Sequence, residues 1–78
     1  MKIIIYIKTG CPWCLGVTSL LRDHNIIFEE RNVLENKEFF DEMIKKSGQN
    51  LTPTLDIDGT ILADSDKEAV AKYLKLAC

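Results

Sequence analysis

Changes in the spacing of apolar positions along the chain predict its secondary-structure elements. Residues 2–8 contain a short, mostly β-branched and continuously apolar run between Lys2 and Lys8. Such a run is typical of a strand covered on both faces. Apolar residues then recur at helical spacing from Pro12 to about His24 or Asn25. Pro12 suits the first helical position, because its missing N–H would have no partner there. Gly16 costs this helix about 1 kcal/mol relative to Ala, so we expect close packing around it.

The middle of the chain predicts a second strand and a second helix. Residues 26–33 read Ile-Ile-Phe-Glu-Glu-Arg-Asn-Val, and the growing polarity indicates a strand near the edge of a sheet. Asn36 is the expected N-cap of the second helix, and Gly48 is its expected C-terminal cap. The apolar stripe of this helix is expected to face the core and consists of Phe39, Phe40, Met43 and Ile44.

The last third of the chain predicts a hairpin followed by a helix. Asp58-Gly59 between residues 54–57 and 60–62 is a strong signal for a two-residue hairpin turn. Ser65-Asp66-Lys67-Glu68 has the pattern of a capping box and opens the third helix. The apolar stripe of that helix consists of Val70, Tyr73, Leu74 and Ala77.

The predicted element order β-α-β-α-β-β-α defines an α/β fold. Strands joined through a helix pair in parallel with a right-handed crossover, whereas the hairpin strands pair antiparallel. The economical assembly is one mixed sheet of four strands with helices on both faces, which is a thioredoxin-like topology. A chain of 78 residues accommodates a single domain, residues 1–78.

Composition and charge narrow the function classes. With 46% apolar residues, four Gly and two Pro, the chain is neither disordered nor collagen-like. A net charge of −2 and the lack of a basic run argue against a nucleic-acid partner. The longest apolar run, Ile3 to Ile7, is far too short to span a bilayer and is unlike a secretory signal. We therefore expect a monomeric cytoplasmic protein with no membrane partner.

The candidate chemistry lies in Cys11-Pro12-Trp13-Cys14, between the first strand and the first helix. A Cys-x-x-Cys pair in this βαβ context indicates a redox dithiol. Cys11 is expected at the helix N-terminus, where free N–H groups and the helix dipole stabilise a thiolate. Cys14 follows one turn later and is expected to stay protonated until it reacts. Lys8 adds a cation near the thiolate or near an anionic substrate, although it also fits a solvated strand end.

The cysteine pair also fits two other interpretations, a zinc site and a pair of structural thiols. Zinc needs about four ligands, and the remaining candidates, His24 and Cys78, are predicted at a helix end and at the chain terminus. We interpret His24 as a surface residue and Cys78 as a free tail thiol. Two purely structural thiols are the second alternative. The predicted strand-helix context favours redox chemistry and no bound metal.

Three segments carry a specific resemblance to a known family. They are Tyr6-x-Lys8-x-x-Cys11-Pro12-Trp13-Cys14, then Gly48-Gln49-Asn50-Leu51-Thr52-Pro53, then Asp58-Gly59 with Ile61-Leu62-Ala63-Asp64-Ser65-Asp66. The chain resembles the glutaredoxin family in all three. The first segment is similar to the family's C-P-Y-C dithiol site, with Trp13 in place of Tyr. The second is similar to the G-Q-x-T-V-P segment, and the third to the hairpin and the I-G-G-x-D-D segment.

The resemblance implies roles for the matching residues. Cys11 would be the nucleophile and Cys14 the resolving thiol, with Pro53 a cis-proline that faces them. Glutathione would be a co-substrate, and no bound cofactor is implied. Its expected contact residues are Lys8, Trp13, Thr52, Pro53, Asp64 and Ser65.

The expected contact residues face different parts of glutathione. The Thr52 backbone would pair with the cysteinyl part, as an added strand pairs with a sheet edge. Asp64 and Ser65, at a helix start, would hold the γ-glutamyl end or would serve only as helix caps. Lys8 would face the glycine carboxylate, and Trp13 would form a wall of the groove.

The chain departs from the family pattern at three places in this groove. Leu51-Thr52-Pro53 replaces Thr-Val-Pro, so the hydroxyl at the first position is lost. Leu62-Ala63 replaces the Gly-Gly pair, where a ligand backbone normally approaches closely. Ser65 replaces the first Asp of the usual pair and supplies no permanent charge.

The leading hypothesis is a glutathione-dependent thiol–disulfide oxidoreductase that acts on disulfide-containing or glutathionylated proteins. The alternative enzyme is a redoxin that is reduced by thioredoxin reductase and serves ribonucleotide reductase. A third hypothesis is a dimer that binds an iron–sulfur cluster through Cys11 and glutathione. Pro12 disfavours the cluster, because it stiffens the loop and removes an N–H that could bond a cluster sulfide.

Overall fold

A four-stranded mixed sheet is the centre of the protein. We analysed a computed structural model that describes residues 2–50, 52–63 and 67–75. Its elements are β1 Ile3–Ile7, α1 Pro12–Asp23, β2 Glu29–Asn32, α2 Lys37–Ser47, β3 Thr54–Ile57, β4 Thr60–Leu62 and α3 Lys67–Leu74. The strand order is β2-β1-β3-β4, with β1 parallel to β2 and antiparallel to β3, and with β4 antiparallel to β3. The predicted fold class and element order are confirmed.

Both faces of β1 are buried, as its continuous apolar run predicts. Ile3 and Ile5 point to one face of the sheet, where they join apolar side chains of α1 and α3. Ile4 and Tyr6 point to the opposite face, where they pack with Met43 of α2. The alternation of side chains along a strand thus divides one apolar run between two cores. Among the described residues, no helix is long and apolar enough to cross a membrane.

The second strand is shorter than predicted. It starts at Glu29 rather than Ile26, and Ile27 is 88% exposed. The reason lies at the end of α1, where Asn25 takes a positive φ of 56° and the Ile26 N–H donates to the Leu21 carbonyl at 2.9 Å. Ile26 therefore closes the helix instead of opening the strand. The expected edge position of β2 is confirmed.

The predicted caps of α2 are confirmed, whereas one position in the apolar stripe of α2 and one in that of α3 are wrong. The Asn36 side chain accepts a hydrogen bond from the Glu38 N–H at 2.9 Å, and the Gly48 N–H donates to the Ile44 carbonyl at 2.7 Å. Ile44 is nevertheless exposed, and so is Tyr73 in α3. Both lie at the margin of their stripe, so the short sheet leaves them uncovered. Ala77, also expected in the core, lies outside the described residues.

A charged network surrounds the one hydroxyl of β1 that faces α2. Tyr6 is fully buried, and its hydroxyl donates to the Glu42 carboxylate and accepts from Lys46 Nζ at 2.8 Å. Lys46 also pairs with Asp56 at 2.9 Å, and Arg31 pairs with Glu42. A buried hydroxyl is costly unless it is hydrogen-bonded. This network satisfies it and ties α2 to β1, β2 and β3.

Candidate active site

Cys11 lies at the junction between β1 and α1. Gly10, with a φ of 81°, turns the chain after the strand, and Cys11 then occupies the N-cap position of the helix. Its sulfur accepts a hydrogen bond from the Cys14 N–H at 3.3 Å. N-cap side chains usually accept such bonds through oxygen, and here a sulfur takes that place. The orphan N–H groups of the first helical turn are therefore directed at the thiol.

A second loop brings Thr52 and Pro53 against the same sulfur. The Thr52–Pro53 peptide bond is cis, as the resemblance implies, and Pro53 is fully buried. The Thr52 hydroxyl donates to Cys11 Sγ at 3.7 Å, and the Cys11 thiol donates to the Thr52 carbonyl at 3.9 Å. The contact joins residues that are 41 positions apart in the sequence. Only the tertiary fold, in which β3 is the antiparallel neighbour of β1, brings them together.

The pKa of Cys11 lies below the ordinary value for a cysteine. Burial of the thiol works to raise it, but hydrogen bonds from Cys14, Thr52 and Trp13 outweigh burial. These donors stabilise the thiolate more than the thiol, since a charged acceptor makes the stronger bond. The expected thiolate at the helix start thus has a physical basis in this arrangement, through hydrogen bonds more than through a neighbouring cation.

Cys14 is shifted in the opposite direction. Burial and the neighbouring Cys11 raise the pKa of Cys14 to about 11, although a backbone hydrogen bond from Lys8 and the Thr52 hydroxyl oppose the rise. Both thiols are free and buried. Two cysteines three residues apart therefore differ in their readiness to ionise, with Cys11 the stronger acid.

The flanking candidate residues occupy different positions around the pair. Trp13 is 65% exposed at the start of α1, as expected for a contact surface, and Lys8 is exposed at the end of β1. A groove of about 290 Å³ runs between α1 and β2, and both cysteines line it together with Lys8 and Leu15. This groove gives the buried thiols an opening to solvent. The sequence did not predict it, because its walls belong to separate elements.

Two expected glutathione contacts, Asp64 and Ser65, lie outside the part of the chain that the structure describes. The tail thiol Cys78 lies outside it as well. Leu62, which replaces the first Gly of the family pattern, is half-buried and packs against the core beneath α1 and α3. Ala63 is exposed. The Leu62 side chain thus contacts the core while part of it stays exposed to solvent.

His24 and the cysteine pair, which were candidate metal ligands, do not lie together. Within residues 2–50, 52–63 and 67–75, no group of three or more His, Cys, Asp and Glu is arranged to hold a metal ion. His24 is the half-buried C-cap residue of α1, whereas Cys11 and Cys14 lie at the other end of that helix. The expectation of a surface His24 is therefore only partly met.

Comparisons with known proteins agree with this geometry. The family model named Glutaredoxin matches residues 3–62. An uncharacterized glutaredoxin-like protein in the rubredoxin operon of Clostridium pasteurianum is 33% identical over 71 residues, which cover 91% of this chain and 95% of that protein. Glutaredoxin 3 of Escherichia coli is 34% identical over 62 residues, with 80% of this chain and 75% of the relative covered.

A solved structure shows the same fold. The crystal structure of the thioredoxin-like protein BC3987 superimposes with a TM-score of 0.84 at 28% identity, over 91% of this chain and 97% of that one. The family match covers the strand and helix that hold both cysteines and the loop that holds Thr52. The chain therefore belongs to the glutaredoxin family and is a thiol–disulfide oxidoreductase.

Proposed function

We propose that the protein is a glutathione-dependent reductase of protein disulfides and of glutathione mixed disulfides, working through Cys11 and Cys14. The observation that carries the proposal is the Cys11 sulfur at the N-cap of α1, with hydrogen bonds from the Cys14 N–H and the Thr52 hydroxyl. Donors arranged in advance around a sulfur favour its thiolate, and the thiolate is the form that attacks disulfides.

In the first step, the Cys11 thiolate attacks one sulfur of a substrate disulfide. A bond forms between Cys11 Sγ and that sulfur, the substrate S–S bond breaks, and the other substrate sulfur leaves as a thiolate that takes up a proton. The hydrogen bond from the Cys14 N–H at 3.3 Å holds the attacking sulfur in place. The product is a mixed disulfide between Cys11 and the substrate.

In the second step, the mixed disulfide is resolved in one of two ways. Cys14 loses its proton and attacks Cys11 Sγ, which forms the Cys11–Cys14 disulfide and releases the substrate thiolate to take up a proton. The two electrons that reduce the substrate come from the two protein thiols. Alternatively, a glutathione thiolate attacks the glutathione sulfur of the Cys11–glutathione mixed disulfide, which forms glutathione disulfide and releases the Cys11 thiolate.

Glutathione is proposed to bind beside this pair. The Thr52 backbone would pair with its cysteinyl part next to Pro53, and the exposed Trp13 and Lys8 would flank it. Asp64 and Ser65 would hold the γ-glutamyl end. The adjacency of Thr52 to Cys11 Sγ supports this placement, since it sets the backbone that leads into β3 beside the nucleophile.

A second candidate function is a redoxin that receives electrons from thioredoxin reductase and serves ribonucleotide reductase. The observation that favours it is the Leu62-Ala63 pair, which replaces the two glycines where a glutathione backbone would approach. The Leu62 side chain packs into the core, so a glycine there would leave an apolar gap. Leu62 and Ala63 therefore do not allow a glutathione backbone to approach as closely as two glycines would.

The two candidates are separated by the source of electrons. The disulfide form of the protein is supplied with NADPH and either glutathione plus glutathione reductase or thioredoxin reductase, and NADPH oxidation is followed. The proposal expects turnover with the glutathione system and loss of turnover in Cys11→Ser. Turnover with thioredoxin reductase alone would contradict it and establish the second candidate.

A further inference from the structure

The side chain of Thr52 makes a contact that its expected backbone role leaves unused. Thr52 is only 8% exposed, and its hydroxyl and carbonyl both lie against Cys11 Sγ, at 3.7 and 3.9 Å. The family pattern that the chain resembles has valine at this position. The hydroxyl is therefore a property of this chain, and it lies where a methyl group is usual.

The two contacts respond differently to the charge on the sulfur. A thiol can donate to the Thr52 carbonyl, but a thiolate has no proton to donate, and a carbonyl cannot donate in return. The hydroxyl carries a proton and can donate to the thiolate. Loss of the proton from Cys11 therefore shifts the stabilising bond from the carbonyl of Thr52 to its hydroxyl.

The second cysteine adjoins the same sulfur that the Thr52 hydroxyl contacts. Burial is the main cause that raises the pKa of Cys14, and a hydrogen bond from the Thr52 side chain is among the contacts that oppose it. The sulfur of Cys11 and the backbone N–H of Cys14 are themselves 3.3 Å apart. The rotatable Thr52 O–H group thus contacts Cys11 Sγ, and the helical turn that carries Cys14 donates to that same sulfur.

We propose that the Thr52 hydroxyl donates its hydrogen bond to the sulfur that carries negative charge in each step of the reaction. In the first displacement that sulfur is Cys11, and in the second it is Cys14 as it loses its proton and attacks. The proposal rests on the roles assigned above to the two cysteines. Replacing Thr52 with valine, which keeps the branched shape, should therefore weaken both steps.

Whether Thr52→Val slows or accelerates the attack by a thiol depends on pH. Loss of a hydrogen bond to a charged group should raise the pKa of each thiol in Thr52→Val by about one unit. At pH values well below the pKa of a thiol, its thiolate then becomes about tenfold scarcer, but each thiolate becomes about threefold more nucleophilic. The net rate of each thiol well below its pKa should therefore fall about threefold, whereas the rate of Cys11 well above its pKa should rise about threefold.

Both steps can be observed with one probe. The Cys78→Ser protein, which lacks the expected tail thiol and serves as the parent for all variants, is reduced and mixed with dithiobis(nitrobenzoate). Attack by Cys11 then releases one coloured thiolate, and ring closure by Cys14 releases a second. Rapid-mixing absorbance across a pH series should show the second phase slowed about threefold in Thr52→Val at neutral and acidic pH. The first phase should be slowed about threefold at pH values well below the pKa of Cys11 and accelerated about threefold well above it. Thr52→Ser, which restores the hydroxyl, should recover both rates.

A matched control removes a nearby buried hydroxyl that does not contact the sulfurs. Thr18 is equally buried and donates to the backbone carbonyls of Cys14 and Leu15. Thr18→Val should leave both phases within about 1.5-fold of the parent protein, since it changes no donor to a thiolate. Circular dichroism checks the fold of each variant, and Thr52→Ala replaces Thr52→Val if the latter does not fold.

Several results would overturn the proposal. Unchanged rates in Thr52→Val, a change in only one phase across the whole pH series, or failure of Thr52→Ser to recover the rates would each contradict a donor that serves both sulfurs. These results leave the proposed function intact. A first phase that persists at the parent rate in Cys11→Ser, in the same Cys78→Ser background, would instead remove the assigned nucleophile, and the donor role would be overturned together with it.

Discussion

At the scale of single residues, the site separates two identical thiols by their environments. Cys11 accepts hydrogen bonds at the open end of a helix, whereas Cys14 lies within the first turn and is buried against its neighbours. Burial works to raise both pKa values, and only at Cys11 do the donors outweigh it. The difference in chemistry thus comes from three residues of sequence separation across a helix boundary.

This separation predicts different losses when each cysteine is replaced. Cys14→Ser should keep most of the reduction of glutathione mixed disulfides, because external glutathione can resolve the intermediate on Cys11. It should abolish the dithiol reduction of protein disulfides, whereas Cys11→Ser should abolish both reactions. Steady-state assays with a glutathionylated peptide and with an intact protein disulfide check this, and activity retained by Cys11→Ser would contradict it.

The cysteine pair could be predicted from sequence, whereas its full environment could not. Cys-x-x-Cys after a strand and before a helix is a local pattern, and local spacing determines where Cys11 lies on α1. The Thr52 hydroxyl comes from a loop 41 residues away, and its distance from the sulfur depends on strand pairing. The displaced hydroxyl in Leu51-Thr52-Pro53 was the available signal. The sequence pattern indicates the loss of the hydroxyl at the first position, but it does not show that the displaced hydroxyl contacts Cys11.

At the scale of elements, capping residues predicted helix boundaries better than apolar periodicity predicted strand boundaries. Asn36 and Gly48 terminate α2 as expected, because each forms a specific hydrogen bond or turn. Residues 26–28 are apolar and favour a strand by composition, yet Ile26 donates to the end of α1. A backbone N–H that satisfies a helix carbonyl is lost to the sheet, and side-chain polarity does not reveal that choice.

The two glycines of α1 and α2 predict opposite responses to alanine. A Cβ added at Gly16 would lie 3.8 Å from Lys67 Cβ, which is an ordinary contact, so the close packing expected there is absent. Gly16→Ala should therefore raise the free energy of unfolding by about 0.5–1 kcal/mol. Gly48 has a φ of 73°, and Gly48→Ala should lower it by about 1 kcal/mol.

Urea denaturation of the two variants beside the parent protein measures both changes. Because each variant adds the same methyl group to a helix or its end, a difference between them reflects backbone conformation rather than side-chain chemistry. A destabilised Gly16→Ala would show that α1 and α3 pack more tightly at this point than the 3.8 Å contact allows.

At the scale of the whole molecule, the two faces of the sheet are held differently. The face under α1 and α3 is an apolar core, while the face under α2 combines a smaller apolar core with the charged network around Tyr6. Partnered charges at the margin of a small core restrict how α2 can dock, because a shifted helix would leave the buried Tyr6 hydroxyl unpaired.

The network predicts how stability depends on pH. The hydrogen bond from Tyr6, together with Arg31 and Lys46, holds the pKa of Glu42 below its usual range despite partial burial. A carboxyl group with a lowered pKa in the folded state contributes stability above its unfolded pKa of about 4.3 and loses it as pH falls through the folded value. The free energy of unfolding should therefore decrease as the pH falls below about 4.

Glu42→Gln should lower the free energy of unfolding at pH 7. It should also flatten the acid limb, which is the decrease in that free energy below about pH 4, because glutamine has no proton to gain. The control is Glu35→Gln, which changes an exposed glutamate in the turn before α2 and should leave the acid limb unchanged. Urea denaturation between pH 7 and pH 2 measures the three curves. Parallel curves for Glu42→Gln and the parent protein would exclude Glu42 as the source of the pH dependence.

The central claim, that Cys11 is the activated nucleophile of this oxidoreductase, is tested most directly by the pH dependence of alkylation. Reduced protein is labelled briefly with iodoacetamide across a pH series, and peptide mass spectrometry quantifies the label on each cysteine. Labelling of Cys11 should titrate with a midpoint below the ordinary value of about 8.5, and Cys14 should remain nearly unlabelled until the pH approaches about 11. A Cys11 midpoint at or above about 8.5, or labelling of Cys14 as early as Cys11, would contradict the claim.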